Sequence, residues 1–444
     1  MSANDRPTHN AWRILILLAL ANVLNYFDRV IPAILNEAIR LEWSLSDLQI
    51  GMLVSAVTLV YSIASIPLGR LADTGARRKI LGWGLAAWSI ITSLNGLAGS
   101  FASYLACRLG VGIGEASLAP AAMSLIGDLF ASTRRGLATG IFMLGLPLGL
   151  MLAFFTIGSL VEAFGTWRAA YLIAGVPGIL LAILLFCIRE PARGCADHVP
   201  ARRHGLLQTF RTLLRKRTLW WLIAAGITFN IAVFPVNAFL VPLLQRYFHL
   251  PLVLASQSAG LILGVTGLIG LTLGGRGADY VHLNWRPGRL VFGALALGVS
   301  GLLLAAALYV PETGVALFVA IFSLGWLLSY CFYTCAYPTL LDVVAADMRA
   351  TAMALFTAFI YLLGGAFGPI LLGLLSDHLA VRAMQAAGAA QLDEHFRAIG
   401  LHDAMLLAPL MFIVTALFML GAARCYRADR ETATTTECVA DACA

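Results

Sequence analysis

Gly69-Arg70-Leu71-Ala72-Asp73-Thr74-Gly75-Ala76-Arg77-Arg78 closes one long apolar stretch and opens the next. A shorter echo, Gly275-Arg276-Gly277-Ala278-Asp279, closes another such stretch in the second half of the chain. Asp128 and Arg135 recur in the same way as Asp342 and Arg349. The chain therefore reads as two halves built on one plan. What is repeated is a set of apolar segments: of 444 residues 60% are apolar and 12% charged, against ~25% charged in an ordinary soluble domain. A water-soluble fold is excluded. Crossing the hydrocarbon layer takes ~20 apolar residues per helix, and the sequence divides into helices predicted over 12–36, 48–72, 79–99, 103–130, 135–160, 167–189, 218–246, 254–279, 287–310, 313–341, 349–376 and 401–425. Runs such as Ala169 to Ile188 are apolar on every face, whereas barrel strands alternate in ~10-residue segments. The predicted fold is an all-α membrane protein of twelve transmembrane helices in two pseudo-symmetric six-helix bundles.

Charge fixes the expected topology. With the N-terminus placed in the cytoplasm, 23 of the 30 Lys and Arg fall on the cytoplasmic side and 5 outside, an asymmetry that orients membrane proteins. Both termini are then cytoplasmic, and the net charge of +7 needs no nucleic acid to explain it. The stretch 190–217, rich in Arg and His with Pro191 and Pro200, reads as a linker between bundles spanning 1–189 and 218–425. Residues 426–444 lack apolar periodicity and read as a disordered cytoplasmic tail. The first apolar segment has no small-residue cleavage site before it and reads as retained. The eight cysteines form no CxxC pair and read as reduced thiols.

Asp28, Arg29, Arg108 and Glu115 are the only ionisable residues this reading places deep in apolar segments. A charge at the bilayer centre costs ~2.5–3.5 kcal/mol even on the lenient insertion scale, so they must be paired or wetted. At ~1.5 Å of rise per residue, Asp28 and Arg108 lie at one level near the outer edge of the core. Arg108 and Glu115, seven residues apart, share a face of their helix, which leaves Glu115 near the midplane. The expectation is a polar cluster of Asp28, Arg29 and Arg108, with Glu115 as a deeper group facing a cavity. The balance between burial and a neighbouring arginine sets whether a carboxyl holds its proton, which suits both acids to proton coupling.

The 69–78 segment resembles the loop signature of the major facilitator superfamily, with Thr74 and Ala76 departing from its usual basic residue and glycine. Within that superfamily, Asn25-Tyr26-Phe27-Asp28-Arg29, Arg108 with Gly112-Ile113-Gly114-Glu115-Ala116, and Arg189-Glu190-Pro191-Ala192-Arg193-Gly194 resemble the spinster-like transporters of bacterial type. The resemblance implies the major facilitator fold and a proton-coupled secondary active carrier working by alternating access. Its solute would be an amphipathic lipid-like, zwitterionic or anionic molecule. It also implies a gating role for Gly69, Arg70, Asp73, Arg77, Arg78 and Asp279, with Asp73 and Asp279 beside Arg77, Arg78 and Arg286 in inter-helix contacts that close the cytoplasmic side. The organic-anion:cation symporters share a similar Asn-Tyr-x-Asp-Arg start and Gly-x-x-Glu-Ala block and are the alternative.

In the second half, Tyr330, Tyr333 and Tyr337 share one helix face and Asn230 and Asn237 another. They are candidate cavity-lining residues. No Gly-x-x-x-x-Gly-Lys-Ser/Thr nucleotide loop and no HExxH pair occurs, so no enzyme, cofactor or metal site is expected. The rival from another class is a channel, which two equivalent halves and deep carboxylates disfavour. The expected partners are a small-molecule or lipid substrate, protons and membrane lipids. The chain is expected to act as a monomer in the bacterial inner membrane.

Overall fold

The structure, a computed structural model, describes residues 9–130, 132–190, 215–285, 287–344 and 349–442. It consists of helices: α1 (His9–Trp43), α2 (Asp47–Thr74), α3 (Arg77–Asn95), α4 (Phe101–Glu115 and Leu118–Leu129), α5 (Ser132–Met143 and Gly145–Phe164) and α6 (Trp167–Phe186). The second half continues with α7 (Arg217–Arg246), α8 (Leu252–Ala259 to Thr266–Asn284), α9 (Gly288–Leu308), α10 (Val315–Ser329 and Cys331–Asp342), α11 (Arg349–Phe359 to Phe367–Ala386) and α12 (Glu394–Ala404 and Leu407–Ala442). Eleven of these are long and apolar enough to cross a membrane. The twelfth, α3, opens on Arg77-Arg78-Lys79 and carries Ser89, Thr92, Ser93 and Asn95, which lowers its apolarity but not its length.

The helices outrun their predicted bounds where polar residues continue an apolar core. Apolar content marks the crossing, whereas the backbone hydrogen-bond ladder stops only at a breaker. Thus α11 continues through Asp377, His378 and Arg382 to Ala386. The residues from 426 onward, expected to be disordered, have helical backbone as far as Ala442. No Gly or Pro interrupts the chain after Gly421.

Breaks inside predicted helices have local causes. Pro120 offers no N–H to the carbonyl of Ala116, and α4 parts there. Pro147 does the same to Met143 in α5. One-turn π segments lie within α8 at Gly260–Val265 and within α11 at Ile360–Gly365.

The chain forms two compact units. The first takes in the chain to Leu45, the stretch from Ala56 to the inter-half segment, and Pro251–Gly260; the second takes in Ser46–Ser55, the chain up to Leu250, and everything from Leu261. The core of the first holds Leu15, Leu18, Leu85, Trp88, Leu125 and Phe142, all 1% exposed or less. The second is built round Phe229, whose ring stacks on Phe332 at 4.1 Å and on Phe412 at 5.6 Å.

Candidate functional site

In the first unit α1 and α4 bring together Asp28, Arg29, Arg108 and Glu115. Asp28, Arg108 and Glu115 are each 2% exposed or less. The pairing, however, is Arg29 with Glu115: the Arg29 Nε–H donates to Glu115 Oε2 at 2.9 Å. The Arg29 guanidinium lies 4.1 Å from the centre of the Tyr61 ring and 5.3 Å from that of Tyr26, a favourable setting for a cation. Arg29 therefore points into the unit rather than reaching for the outer interface. Arg108 interacts electrostatically with Asp28, Glu115, Tyr104 and Tyr171. The hydroxyl of Thr92 donates to Asp28 Oδ2 at 3.5 Å, and Tyr104 and Tyr171 share a hydroxyl–hydroxyl bond of 2.6 Å.

Glu115 is the last residue of the first α4 segment, so the break caused by Pro120 sits beside the carboxylate. Asp28 Oδ1, Glu115 Oε1 and Arg108 Nε and Nη1 are buried with no hydrogen-bond partner among the described residues. Buried polar atoms are nearly always paired. This cluster therefore has unused capacity to bind a proton or a polar solute.

Burial is not confined to these four. Glu37, Arg40, Asp47, Arg77 and Arg246 are also buried. They lie near helix ends in the sequence, but neighbouring helices cover those ends. In the second unit the bond runs from α7 to the first turn of α2: Arg246 meets Asp47 through Nη1 and Nη2, each at 2.9 Å. Ser376 donates to Asp47 at 2.7 Å, and Asp377 accepts from the backbone N–H groups of Asp47 and Leu48. Glycines permit this approach: a Cβ at Gly51 would lie 2.2 Å from the carbonyl oxygen of Pro369, and one at Gly373 2.3 Å from that of Asp47. The only sequence signal for this cluster was an acid at the start of a helix.

Among the described residues, Arg77 pairs with an acid of α4 and with one just after α6. Arg77 Nη1 donates to Asp128 and to Ser124, and its Nε donates to Glu190 at 2.8 Å. The backbone N–H groups of Arg77 and Arg78 also donate to Glu190, and Arg78 Nη1 reaches the carbonyl of Ile188 at 3.2 Å. Partial burial alone would raise the Glu190 carboxyl, but these hydrogen bonds hold it below the usual glutamate range. A Cβ at Gly69 would come within 3.7 Å of the Pro120 ring, an ordinary contact, and Arg70 is exposed. The Asp73 side chain lies outside the described residues, as does Arg286. Asp279 pairs with Arg289 at 2.9 Å, and Arg289 also meets Asp342 at 3.3 Å. The repeated Asp128 and Asp342 thus each face an arginine, one in each half.

The amides of Asn230 and Asn237 donate to their own helix, at Gly226 and Val233. The Tyr330 hydroxyl donates to the carbonyl of Leu263, inside the π segment of α8, at 2.7 Å. Tyr333 contacts the rings of both Tyr330 and Tyr337. The expected aromatic face exists, with Tyr330 tied to backbone. Among the described residues no group of three or more His, Cys, Asp and Glu is placed to hold a metal ion.

Membrane-crossing helices in two units, with an acid–base cluster packed at depth in one of them, define a polytopic solute carrier. Comparison with known proteins narrows the class. The Major Facilitator Superfamily pattern matches residues 18–369. A probable L-galactonate transporter of Escherichia coli (strain K12) is 30% identical over 389 residues, covering 82% of each chain. The sphingosine-1-phosphate transporter SPNS2 of Xenopus tropicalis is 28% identical, covering 96% of this chain and 84% of that one. The crystal structure of a bacterial homolog of the human lysosomal transporter Spinster, inward-facing and unoccupied, superposes with a TM-score of 0.86 at 25% identity, covering 95% of this chain and 99% of that one. The chain belongs to the Major Facilitator Superfamily and is a spinster-like transporter within it, not an enzyme.

Proposed function

We propose that this transporter is proton-coupled and works by alternating access, carrying an amphipathic solute with an anionic or zwitterionic head. The Arg29–Glu115 ion pair beside Asp28 and Arg108 carries this reading. A carboxylate that takes a proton gives up its arginine, and that arginine is then free for an anionic head group. The similarity to a sphingosine-1-phosphate transporter supports a lipid-like tail. The residues 1–189 and 218–425 would act as the two moving halves joined by 190–217. The lysine and arginine asymmetry supports cytoplasmic termini in a bacterial inner membrane, and nothing in this mechanism requires more than a monomer.

The similarity to an L-galactonate transporter favours a second reading, symport of a small organic anion. A thermal-shift screen of purified protein against lysolipids, sphingoid phosphates and small carboxylates at two pH values separates the two. Stabilisation by the lipids, larger at one pH, is the expected result; stabilisation by small carboxylates alone establishes the second reading. In proteoliposomes carrying the stabilising solute, an imposed pH gradient should drive its accumulation. Equal uptake with and without the gradient removes the proton from the mechanism.

A further inference from the structure

An apolar groove of about 480 Å³ opens on the first unit between α2, α3 and α4, within the ~300–1,000 Å³ usual for ligand sites. Its wall on α3 runs from Lys79 through Trp83 and Ala87 to Ile91, and its floor is formed by Gly110, Ile113 and Ser117 of α4. Two glycines set its depth by drawing α3 onto α4: a Cβ at Gly84 would stand 2.0 Å from the Ser117 hydroxyl, and one at Gly114 2.7 Å from the Trp88 Cβ. From Lys79 to Ile91 is twelve residues of helix, roughly 18 Å at ~1.5 Å per residue, comparable with one leaflet of a ~30 Å hydrocarbon core. The single charged side chain on the lining is Lys79, at the end where the chain passes from membrane to polar loop. Trp83 is 68% exposed beside it, as suits an indole at a membrane interface.

We propose that this groove is a binding site for one acyl chain of an anionic phospholipid whose phosphate sits on Lys79. Charge complementarity at one end and a leaflet-long apolar trough behind it select that occupant, since basic pockets between helices at a membrane face recognise anionic head groups. The groove's occupant is not the transported solute. Its floor includes Gly114 and Ser117, which flank Glu115 and the α4 break. An acyl chain in the groove therefore packs against the backbone joint that positions this carboxylate.

Native mass spectrometry of delipidated protein titrated with dioleoyl-phosphatidylglycerol and with dioleoyl-phosphatidylcholine tests the site. The expected result is a first-bound phosphatidylglycerol held several-fold more tightly than phosphatidylcholine. Lys79→Gln should abolish the preference, and Ala87→Phe, which fills the trough, should weaken both lipids. Ile90→Phe, on an exposed position of the same helix outside the groove, should do neither and reports on folding. Equal affinity for the two lipids in the unaltered protein overturns the proposal. So does a preference that survives both Lys79→Gln and Ala87→Phe.

Discussion

The interiors of the two units answer the same problem, filling a helix bundle in lipid, with different chemistry. The first packs Asp28, Arg108 and Glu115 into its centre, with Arg29 turned in to meet Glu115. The second packs Phe229, Phe332, Phe412 and Tyr333, and its buried Asn230 amide is spent on its own helix. The two arginine–carboxylate clusters differ in the same sense. Arg77 is 1% exposed between acids that are 16% and 22% exposed, while Arg289 meets Asp279 at 71% and Asp342 at 32%. Sequence repetition conserves the positions of these groups but not their burial. The first unit holds the Asp28, Arg29, Arg108 and Glu115 cluster, whereas the second pairs Asp47 with Arg246 and fills the space round Phe229 with aromatic rings.

This contrast can be broken most decisively by transport. Glu115→Gln should abolish pH-gradient-driven accumulation in proteoliposomes, whereas Tyr333→Phe should leave it within about twofold. The reverse ranking would move the coupling to the second unit. Next in size is Arg77→Gln, which leaves Asp128 and Glu190 facing each other. It should cost somewhat less than the ~3–5 kcal/mol of a fully buried pair, because both acids keep some contact with water. Arg289→Gln, at the solvated equivalent, should cost ~0–1 kcal/mol, both read from unfolding in detergent.

The pH dependence sharpens the point. A Glu190 carboxyl held below its ordinary ~4.3 contributes stability that is fully present above that value and is lost as pH falls through the lowered one. Glu190→Gln should flatten this acid limb of the unfolding curve while lowering stability near neutrality. An effect of the same small order as Arg289→Gln should come from Tyr330→Phe, which removes one bond to the Leu263 carbonyl and should cost ~0.5–1.5 kcal/mol.

The twelve crossings and the convergence of α1 with α4 were legible because length, apolarity and helical rise are local properties that survive packing. The depth argument that put Asp28 level with Arg108 needed nothing but residue counting. Partner choice was not legible. The bonds of Arg77 to Asp128 and Glu190 come only with the packing of α3 against α4 and the end of α6. The buried Asp47–Arg246 pair was missed for a related reason. Both residues stand at helix ends, where a sequence reading assumes water, and what covers them comes from Ser376, Asp377 and two glycine contacts far along the chain. Proline marked the joints in α4 and α5, but the π segments of α8 and α11 have no comparable sign beyond their glycines.

Those π segments alter how the helices beyond them must be read. An α-helix turns ~100° per residue, and a π turn inserts an extra residue into that count. Each segment therefore rotates everything downstream relative to everything upstream. A helical wheel drawn through Leu252–Asn284 as one rod would assign the residues after Val265 to the wrong side. Removing one residue from Gly260–Val265 would swing the Gly275–Asp279 end round its axis while leaving the first turns in place, so a single-codon deletion there acts on orientation at a distance.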